Sequence, residues 1–89
     1  MHYVYVLQRL DDEDKFYIGY TSDLRQRLKT HNSGGNKSTS GHQWKLVYYE
    51  AYMTRSGARI RETRLKHSGK ARYQLMRRIR ASLGDLGAG

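Results

Sequence analysis

Two short segments decide the fold of this chain: HYVYVLQ at residues 2–8 and FYIGY at residues 16–20. Both segments are rich in β-branched and aromatic side chains, which favour an extended backbone. A short polar run, DDEDK at residues 11–15, separates them and is typical of a turn. The two segments are therefore predicted to form a β-hairpin. Aromatic rings of the two strands will contact each other only where the pairing register places them on the same face of the hairpin.

A helix is predicted directly after the hairpin. The side-chain oxygens of residues 21–23, with the sequence TSD, can cap free backbone N–H groups at a helix start. Leu24, Leu28 and His31 then fall at positions i, i+4 and i+7, which is one face of a helix. The stretch at residues 32–42 is rich in glycine, serine and asparagine and predicts a loop.

The second half of the chain predicts a third strand and two more helices. WKLVYYEAY at residues 44–52 has the composition of a strand. Thr54 or Ser56 can cap a helix that runs to about residue 66, where Ser68-Gly69 interrupts it. The last helix is expected over residues 71–83. Its apolar side consists of Leu75, Met76, Ile79 and Leu83.

This order, ββαβαα, predicts an α/β fold of the α+β type, in which helices flank a small three-stranded antiparallel sheet. A chain of 89 residues has room for one hydrophobic core. We therefore expect a single domain over residues 1–83. The sequence GDLGAG at residues 84–89 is expected to be a flexible C-terminal tail.

The charge of the chain predicts an anionic partner. The net charge is +9, and residues 51–83 carry ten lysines and arginines but one acid, Glu62. The rest of the chain carries seven residues of each sign and sums to zero. A basic half of this kind is typical of nucleic-acid binding. A solvated helix surface would explain the same composition without a partner.

Composition also excludes several classes of protein. The chain has no cysteine, so disulfides and thiolate zinc sites are excluded, and its four histidines lack a paired metal-ligand spacing. No stretch reaches the ~18 apolar residues of a membrane span, and no large apolar helix face supports a membrane partner. The first residues lack the features of a signal peptide, so a cytoplasmic location is expected.

Two tyrosines, an arginine and a histidine are candidates for chemistry. Tyr5 and Tyr17 will lie close together if the hairpin puts them on one face, although both could simply pack a small core. Arg27 lies three residues after Leu24 and four before His31, so it borders the apolar stripe of its helix. It could equally be a surface arginine. His31 could be a helix-end histidine that interacts with the helix dipole.

Glu62 is the exceptional residue of the basic half. Ala58 lies one turn before it and Leu65 nearly one turn after it, so its carboxylate is predicted on the packed side of a helix. It could serve as a hard-metal ligand, because one carboxylate with waters and a substrate phosphate suits Mg²⁺. It could also be neutralised by nearby arginines. The candidates for that role are Arg59, Arg61 and Arg64.

These elements together resemble the GIY-YIG nuclease family, in its stand-alone bacterial single-domain type. Tyr17-Ile18-Gly19 matches the second motif of that family letter for letter. Tyr3-Val4-Tyr5 stands where the family has Gly-Ile-Tyr. Arg27, eight residues past the motif glycine, matches the family's helix arginine, and His31 matches the following His or Tyr. Glu62 matches the metal-binding glutamate.

The resemblance covers residues 3–79 and extends to the catalytic domain of the excision-repair incision nuclease. KST at residues 37–39, followed by WKLVY at residues 44–48, is similar to the stand-alone members. The chain departs from the family pattern in two places. Tyr3 replaces the leading glycine of the first motif, and no asparagine follows Asn36, whereas many members have one after the glutamate helix.

The resemblance implies an endonuclease that hydrolyses DNA phosphodiester bonds with one divalent ion, Mg²⁺ or Mn²⁺, held by Glu62. Its place would be in DNA repair, recombination or processing. Arg27 would neutralise charge on the phosphoryl oxygens. We favour Tyr17 as the general base and Tyr5 as its orienting partner. Two alternatives for the base remain open, Tyr5 and His31.

The basic half would then bind flanking phosphates without reading sequence. The residues expected to do so are Lys37, Arg59, Arg61, Lys66, Lys70, Arg72 and Arg77. The expected partner is DNA, with RNA as an alternative, and no small-molecule cofactor is expected. A protein partner could supply targeting. Two rival functions are a non-catalytic basic DNA- or RNA-binding module on the same fold and a ribosome-associated basic protein.

Overall fold

The structure, a computed structural model, describes residues 1–35 and 39–84. It confirms the predicted order ββαβαα and the three-stranded antiparallel sheet. The elements are β1 (His2–Arg9), β2 (Phe16–Thr21), α1 (Leu24–Asn32), β3 (Trp44–Tyr52), α2 (Arg55–His67) and α3 (Gly69–Ser82). Of the predicted tail, residues 85–89 lie outside the described residues. None of the helices in the described ranges is long and apolar enough to cross a bilayer.

The central strand is β1, which pairs with β2 on one side and with β3 on the other. Residues 4–8 of this strand are all buried, so both faces of the sheet are covered. Because side chains alternate along a strand, Val4 and Val6 pack into one layer, and Tyr5 and Leu7 pack into the other. The sheet therefore separates two small apolar clusters.

Helices α2 and α3 cover the first face of the sheet. Ala58 and Leu65 of α2 are fully buried there, as the helical spacing around Glu62 predicted. The same cluster contains Leu75 and Ile79 of α3. Leu83, which was also expected on the apolar side of α3, is about one-third exposed at the helix end.

The second face is covered by α1 and by the segment that leads into β3. Tyr5, Leu7 and Trp44 form its buried cluster. The partly buried side chains packed against this cluster are Tyr17, Leu24, Leu28 and Leu46. Tyr5 and Tyr17 therefore lie on the same face, which is the condition that the sequence left open.

Short polar side chains begin all three helices. Asp23 caps α1 by accepting a hydrogen bond from the Gln26 N–H, and Thr54, one of the two predicted candidates, caps α2. Ser68 both ends α2 and caps α3, because its Oγ accepts a hydrogen bond of 3.2 Å from the Ala71 N–H. The interruption predicted at Ser68-Gly69 is therefore a single cap, and α3 begins two residues earlier than expected.

A polar cluster that was not predicted ties α2 to β3. Arg61 donates from Nε to Oε1 of Glu50 at 2.9 Å and from Nη2 to Oε2 at 3.0 Å. The hydroxyls of Tyr48 and Tyr52 donate to the same carboxylate. Burial by itself would raise the pKa of Glu50, but Arg61 and the two hydroxyls hold that pKa below its ordinary value. The cluster therefore anchors α2 to β3 at Arg61, the residue next to Glu62.

We predict that Glu50→Gln lowers the free energy of unfolding by about 1–2 kcal/mol at neutral pH, because it leaves the partly buried Arg61 charge without its partner. A carboxylate with a depressed folded-state pKa stabilises the protein above its unfolded-state pKa. That contribution is lost as the pH falls through the folded-state pKa. Urea denaturation followed by circular dichroism should therefore show the two proteins converging in stability at acidic pH.

Asp11→Asn is the matched control, since Asp11 pairs with Arg9 at a solvent-exposed site. It should change stability much less than Glu50→Gln at neutral pH. A Glu50→Gln protein that is as stable as the wild type at neutral pH would show that the cluster does not hold α2 in place.

Candidate active site

The register of the hairpin places the ring of Tyr5 across a glycine. Tyr5 of β1 lies directly opposite Gly19 of β2. A Cβ atom added to Gly19 would lie 2.5 Å from Cζ and 2.9 Å from Cε1 of the Tyr5 ring. Any larger residue would therefore collide with the ring. Glycine ends the YIG motif because the Tyr5 side chain occupies the space that a Cβ would fill.

The Tyr5 hydroxyl begins a buried chain of hydrogen bonds. It lies 2.8 Å from Nε2 of His31, and Nδ1 of His31 lies 2.7 Å from Oγ1 of Thr39. His31 and Thr39 are fully buried. Burial lowers the pKa of His31, and the nearby charge of Arg27 lowers it further. The lowered pKa favours the neutral imidazole, in which one ring nitrogen donates a hydrogen bond and the other accepts one.

The same surroundings make the Tyr5 hydroxyl a weaker acid than an ordinary tyrosine hydroxyl. Burial raises the pKa of Tyr5, and Tyr17 and Glu62 raise it further, whereas the charge of Arg27 opposes the shift. The charges of Arg27 and Glu62 and the Tyr17 hydroxyl thus all influence the Tyr5 hydroxyl. Tyr5 is thus the centre of the group of side chains that the motifs predicted.

Tyr17 lies on the open side of this group. Its ring is half-buried, 4.8 Å from the His31 ring and 6.4 Å from the Tyr5 ring, measured between centroids. The ammonium group of Lys66 lies 5.7 Å from the centroid of the same ring. Within residues 1–35 and 39–84, no group hydrogen-bonds the Tyr17 hydroxyl, so it can reach a molecule in the cleft.

Glu62 lies close to Tyr17, on the other side of Lys66, and 15 % of its side chain is exposed. Its carboxylate pairs with Nζ of Lys66 at 3.2 Å and with Nε of Arg59 at 3.5 Å. Arg61, which was considered as another neutralising partner, turns instead to Glu50. The contact with Lys66 was not predicted. It joins Glu62 to Tyr17, because the same ammonium group lies over the Tyr17 ring.

Arg27 is half-buried on α1, at the border of the apolar stripe, as its spacing predicted. Among the described residues, no carboxylate lies within ion-pair distance of its guanidinium. A partly buried cation without an acidic neighbour is suited to an anionic ligand. The phosphoryl oxygens of a nucleic acid are ligands of that kind.

A metal ion at this site would depend on Glu62 and on ligands from outside the chain. The described parts of the chain contain no group of three or more His, Cys, Asp or Glu side chains that could hold a metal ion. A single, partly exposed carboxylate fits Mg²⁺ or Mn²⁺ when waters and a substrate phosphate supply the remaining oxygens. The donor set is therefore compatible with one hard ion, and Lys66 would have to give up its contact with the ligating oxygen.

Several of the residues predicted to bind phosphate already have partners within the chain. Arg59 and Lys66 contact Glu62, and Arg61 is bound to Glu50. Nη1 of Arg72 donates to the Leu65 and Lys66 carbonyl oxygens, at the end of α2. Lys70 and Arg77 are exposed on α3, and Lys37 lies outside the described residues. Thr39 was not singled out for a role, although it belongs to the KST stretch that resembles the stand-alone members.

The family model of the GIY-YIG catalytic domain matches residues 1–74 of this chain. A UPF0213 protein from Haloquadratum walsbyi is 39% identical over 75 residues, which are 82% of this chain and 82% of that protein. One from Bacillus pumilus is 45% identical over 67 residues, which are 73% of this chain and 66% of that protein.

A solved structure is also similar to this chain. It is the solution NMR structure of a UPF0213 protein from Bacillus halodurans, with a TM-score of 0.53 and 36% sequence identity. The match covers 98% of this chain and 88% of that one. The likeness therefore extends through all the elements that surround Tyr5.

We predict that Gly19→Ala destabilises the protein by about 1–3 kcal/mol, because the added methyl group collides with the Tyr5 ring. Urea denaturation provides the measurement. Gly69→Ala is the matched control, since a Cβ at Gly69 meets no atom within 4 Å, and it should leave stability unchanged or raise it. The double variant Tyr5→Leu/Gly19→Ala should lose less than the sum of the single variants. If the losses of stability of the two single variants simply add in the double variant, the proposed collision is contradicted.

Proposed function

The chain belongs to the GIY-YIG family, and on that premise we propose that it is a divalent-metal-dependent endonuclease that hydrolyses DNA phosphodiester bonds. One observation carries the proposal. The Tyr5 hydroxyl is hydrogen-bonded to His31, and the Tyr17 ring lies beside both. Lys66 joins that ring to Glu62. The motif side chains would then form one site in which a phosphate meets a base, a cation and a metal ligand.

Glu62 would hold the single Mg²⁺ or Mn²⁺ ion. When bound, the ion supplies positive charge that stabilises the phosphoryl oxygens and the leaving oxygen. Lys66 and Arg59 balance the Glu62 carboxylate in its absence. Both can turn to substrate phosphates once that balance is no longer needed. Their long side chains allow this without a change in the backbone.

Arg27 would bind the phosphoryl oxygens of the scissile group. Its guanidinium has no carboxylate partner in the described ranges of the chain, so binding a phosphate breaks no ion pair. Partial burial lowers the local dielectric and strengthens the attraction to the charge that builds up during hydrolysis.

Tyr17 is the better candidate for the general base. The Tyr5 hydroxyl is buried, its pKa is raised, and it is engaged with His31. Tyr17 is half-buried and can contact an attacking water. Tyr5 would orient Tyr17, and His31 would act as a positioning residue through Tyr5.

The basic residues of α2 and α3 would bind the phosphates on either side of the cut. We take residues 1–83 as the catalytic domain and DNA as the substrate, with RNA as the alternative. The role would be in repair, recombination or processing in the cytoplasm, with a protein partner for targeting. The ion pairs of Glu62 favour one rival, a non-catalytic DNA-binding module in which Glu62 only anchors basic side chains.

We predict that Glu62→Gln abolishes Mg²⁺- or Mn²⁺-dependent nicking of plasmid DNA, with a fall in rate on the order of 10³-fold or more, because the metal loses its protein ligand. DNA affinity should be retained or raised, since a negative charge is removed. Glu13→Gln is the control, because Glu13 is exposed in the turn before β2. Cleavage by Glu62→Gln at the wild-type rate, or cleavage in excess chelator, would sink the one-metal proposal.

We predict a contrast between the two tyrosines of the cleft. Tyr17→Phe should keep its stability, because its hydroxyl bonds nothing in the described part of the chain, but should lose roughly 10²–10⁴ of the cleavage rate. Tyr5→Phe should also lose about 1–3 kcal/mol of stability, because it leaves a nitrogen of the buried His31 without its partner.

The pH profile of cleavage separates the two roles further. The wild-type rate should rise with pH until the base is ionised, and Tyr17→Phe should lose this rise. A Tyr17→Phe protein that keeps the wild-type rate and profile would remove Tyr17 from the role of base. If neither protein cuts any substrate with any metal, the binding-module rival is the better explanation.

A further inference from the structure

A groove of about 900 Å³ runs between the start of β2 and α3. Its lining includes the apolar and aromatic side chains of Phe16, Tyr73 and Met76. Tyr17 and Lys66 also line it, so one end of the groove opens into the candidate active site. The groove is therefore continuous with the place where a DNA strand would be cut.

The groove has a positive rim. Lys15 and Arg77 line it, and neither is paired with a carboxylate within the described parts of the chain. Asp14, the acid in the lining, is bound to Arg80 at 3.3 Å. The guanidinium of Arg80 also lies 5.6 Å from the centroid of the Phe16 ring. The groove thus combines aromatic surface with positive charge along its length.

Tyr73 makes this groove unlike an ordinary packed surface. Its side chain is 64 % exposed on α3, although a tyrosine of the core would be covered. β2 is an outer strand of the sheet, so no further strand of the described residues closes the groove on that side. An aromatic ring that faces a cationic cleft offers a stacking surface to a base and a counter-charge to its phosphate.

We propose that this groove binds an unpaired DNA strand that continues from the scissile phosphate. Its bases would stack on Tyr73 and Phe16, and its phosphates would contact Lys15 and Arg77. The inference rests on the proposed nuclease function and deepens it, because the substrate class becomes DNA with an unpaired end or branch. Paired bases stack on each other inside a duplex, so a plain duplex could not use the aromatic surface.

The dimensions limit this strand to a few nucleotides. The part of α3 that lines the groove runs from Gly69 to Arg80, which corresponds to roughly 16 Å of helix at 1.5 Å per residue. A short unpaired segment next to the cut would therefore fill the groove. A longer segment would extend beyond Arg80 into solvent.

Binding in the absence of metal tests the proposal without requiring cleavage. Fluorescence anisotropy in EDTA would compare a labelled blunt duplex with the same duplex carrying a short unpaired thymine tail at its 5′ or 3′ end. The wild type should bind one of the tailed duplexes more tightly than the blunt one. In Tyr73→Ala the ratio of tailed to blunt affinity should fall by roughly five- to a hundredfold, the range expected for one lost base–aromatic stack.

Two variants serve as controls for this experiment. Tyr73→Phe keeps the ring and should keep the ratio. Tyr49→Ala removes a tyrosine that is 54 % exposed on β3, at the opposite edge of the sheet from β2, and should also keep the ratio. Arg77→Gln should lower affinity for the tailed duplex and reduce its salt dependence, since a phosphate contact is lost.

Equal affinities of the wild type for blunt and tailed DNA would overturn the proposal. So would a Tyr73→Ala protein that folds, by circular dichroism, and keeps the wild-type ratio. The two proposals fail separately. If the preference for tailed DNA depends on Tyr73 but no DNA is cut under any condition, the groove proposal is supported and the nuclease proposal is rejected. If DNA is cut but the ratio of tailed to blunt affinity does not depend on Tyr73, the groove proposal alone is rejected.

Discussion

The contact between the Tyr5 ring and the bare backbone of Gly19 is the constraint on which the site depends. The ring lies flat across β2 only because position 19 has no Cβ atom. In that position the hydroxyl reaches His31 on α1, and His31 reaches Thr39 in the segment before β3. One close approach within the hairpin thus links four parts of the chain. The helix that carries Arg27 is tied to the sheet by the hydrogen bond of the tyrosine hydroxyl and by the packing of Leu24 and Leu28.

Most of the fold could be predicted because its signals are local. The β-branched and aromatic runs mark the strands, and the short polar residues Asp23, Thr54 and Ser68 mark the helix starts. The register of the hairpin could not be predicted, because a polar turn of this length permits more than one pairing. A shift by one residue would move Tyr5 and Tyr17 to opposite faces. The pairing of Tyr5 with Gly19 settles this question, and no local pattern encodes it.

The site was predictable where it follows a motif and not where it depends on tertiary contacts. Helical spacing around Glu62 indicated its position beside the buried Ala58 and Leu65. Composition could count the cations of the basic half but could not say which of them are already paired. Arg61 and Glu50 are eleven residues apart in the sequence and belong to different elements. Their pairing therefore depends on how α2 packs on β3. The contact of Thr39 with His31 is hidden for the same reason.

These pairings divide the site into a fixed half and an open half. Tyr5, His31 and Thr39 are buried and hydrogen-bonded, so their geometry is set before a substrate arrives. Glu62 and Tyr17 are partly exposed, so solvent can reach them. A preorganised interior lowers the free energy needed to align reacting groups, whereas exposed groups must exchange partners as substrate binds. A domain with so small a core can hold such a site because Tyr5 of the fixed half also belongs to the buried cluster with Leu7 and Trp44.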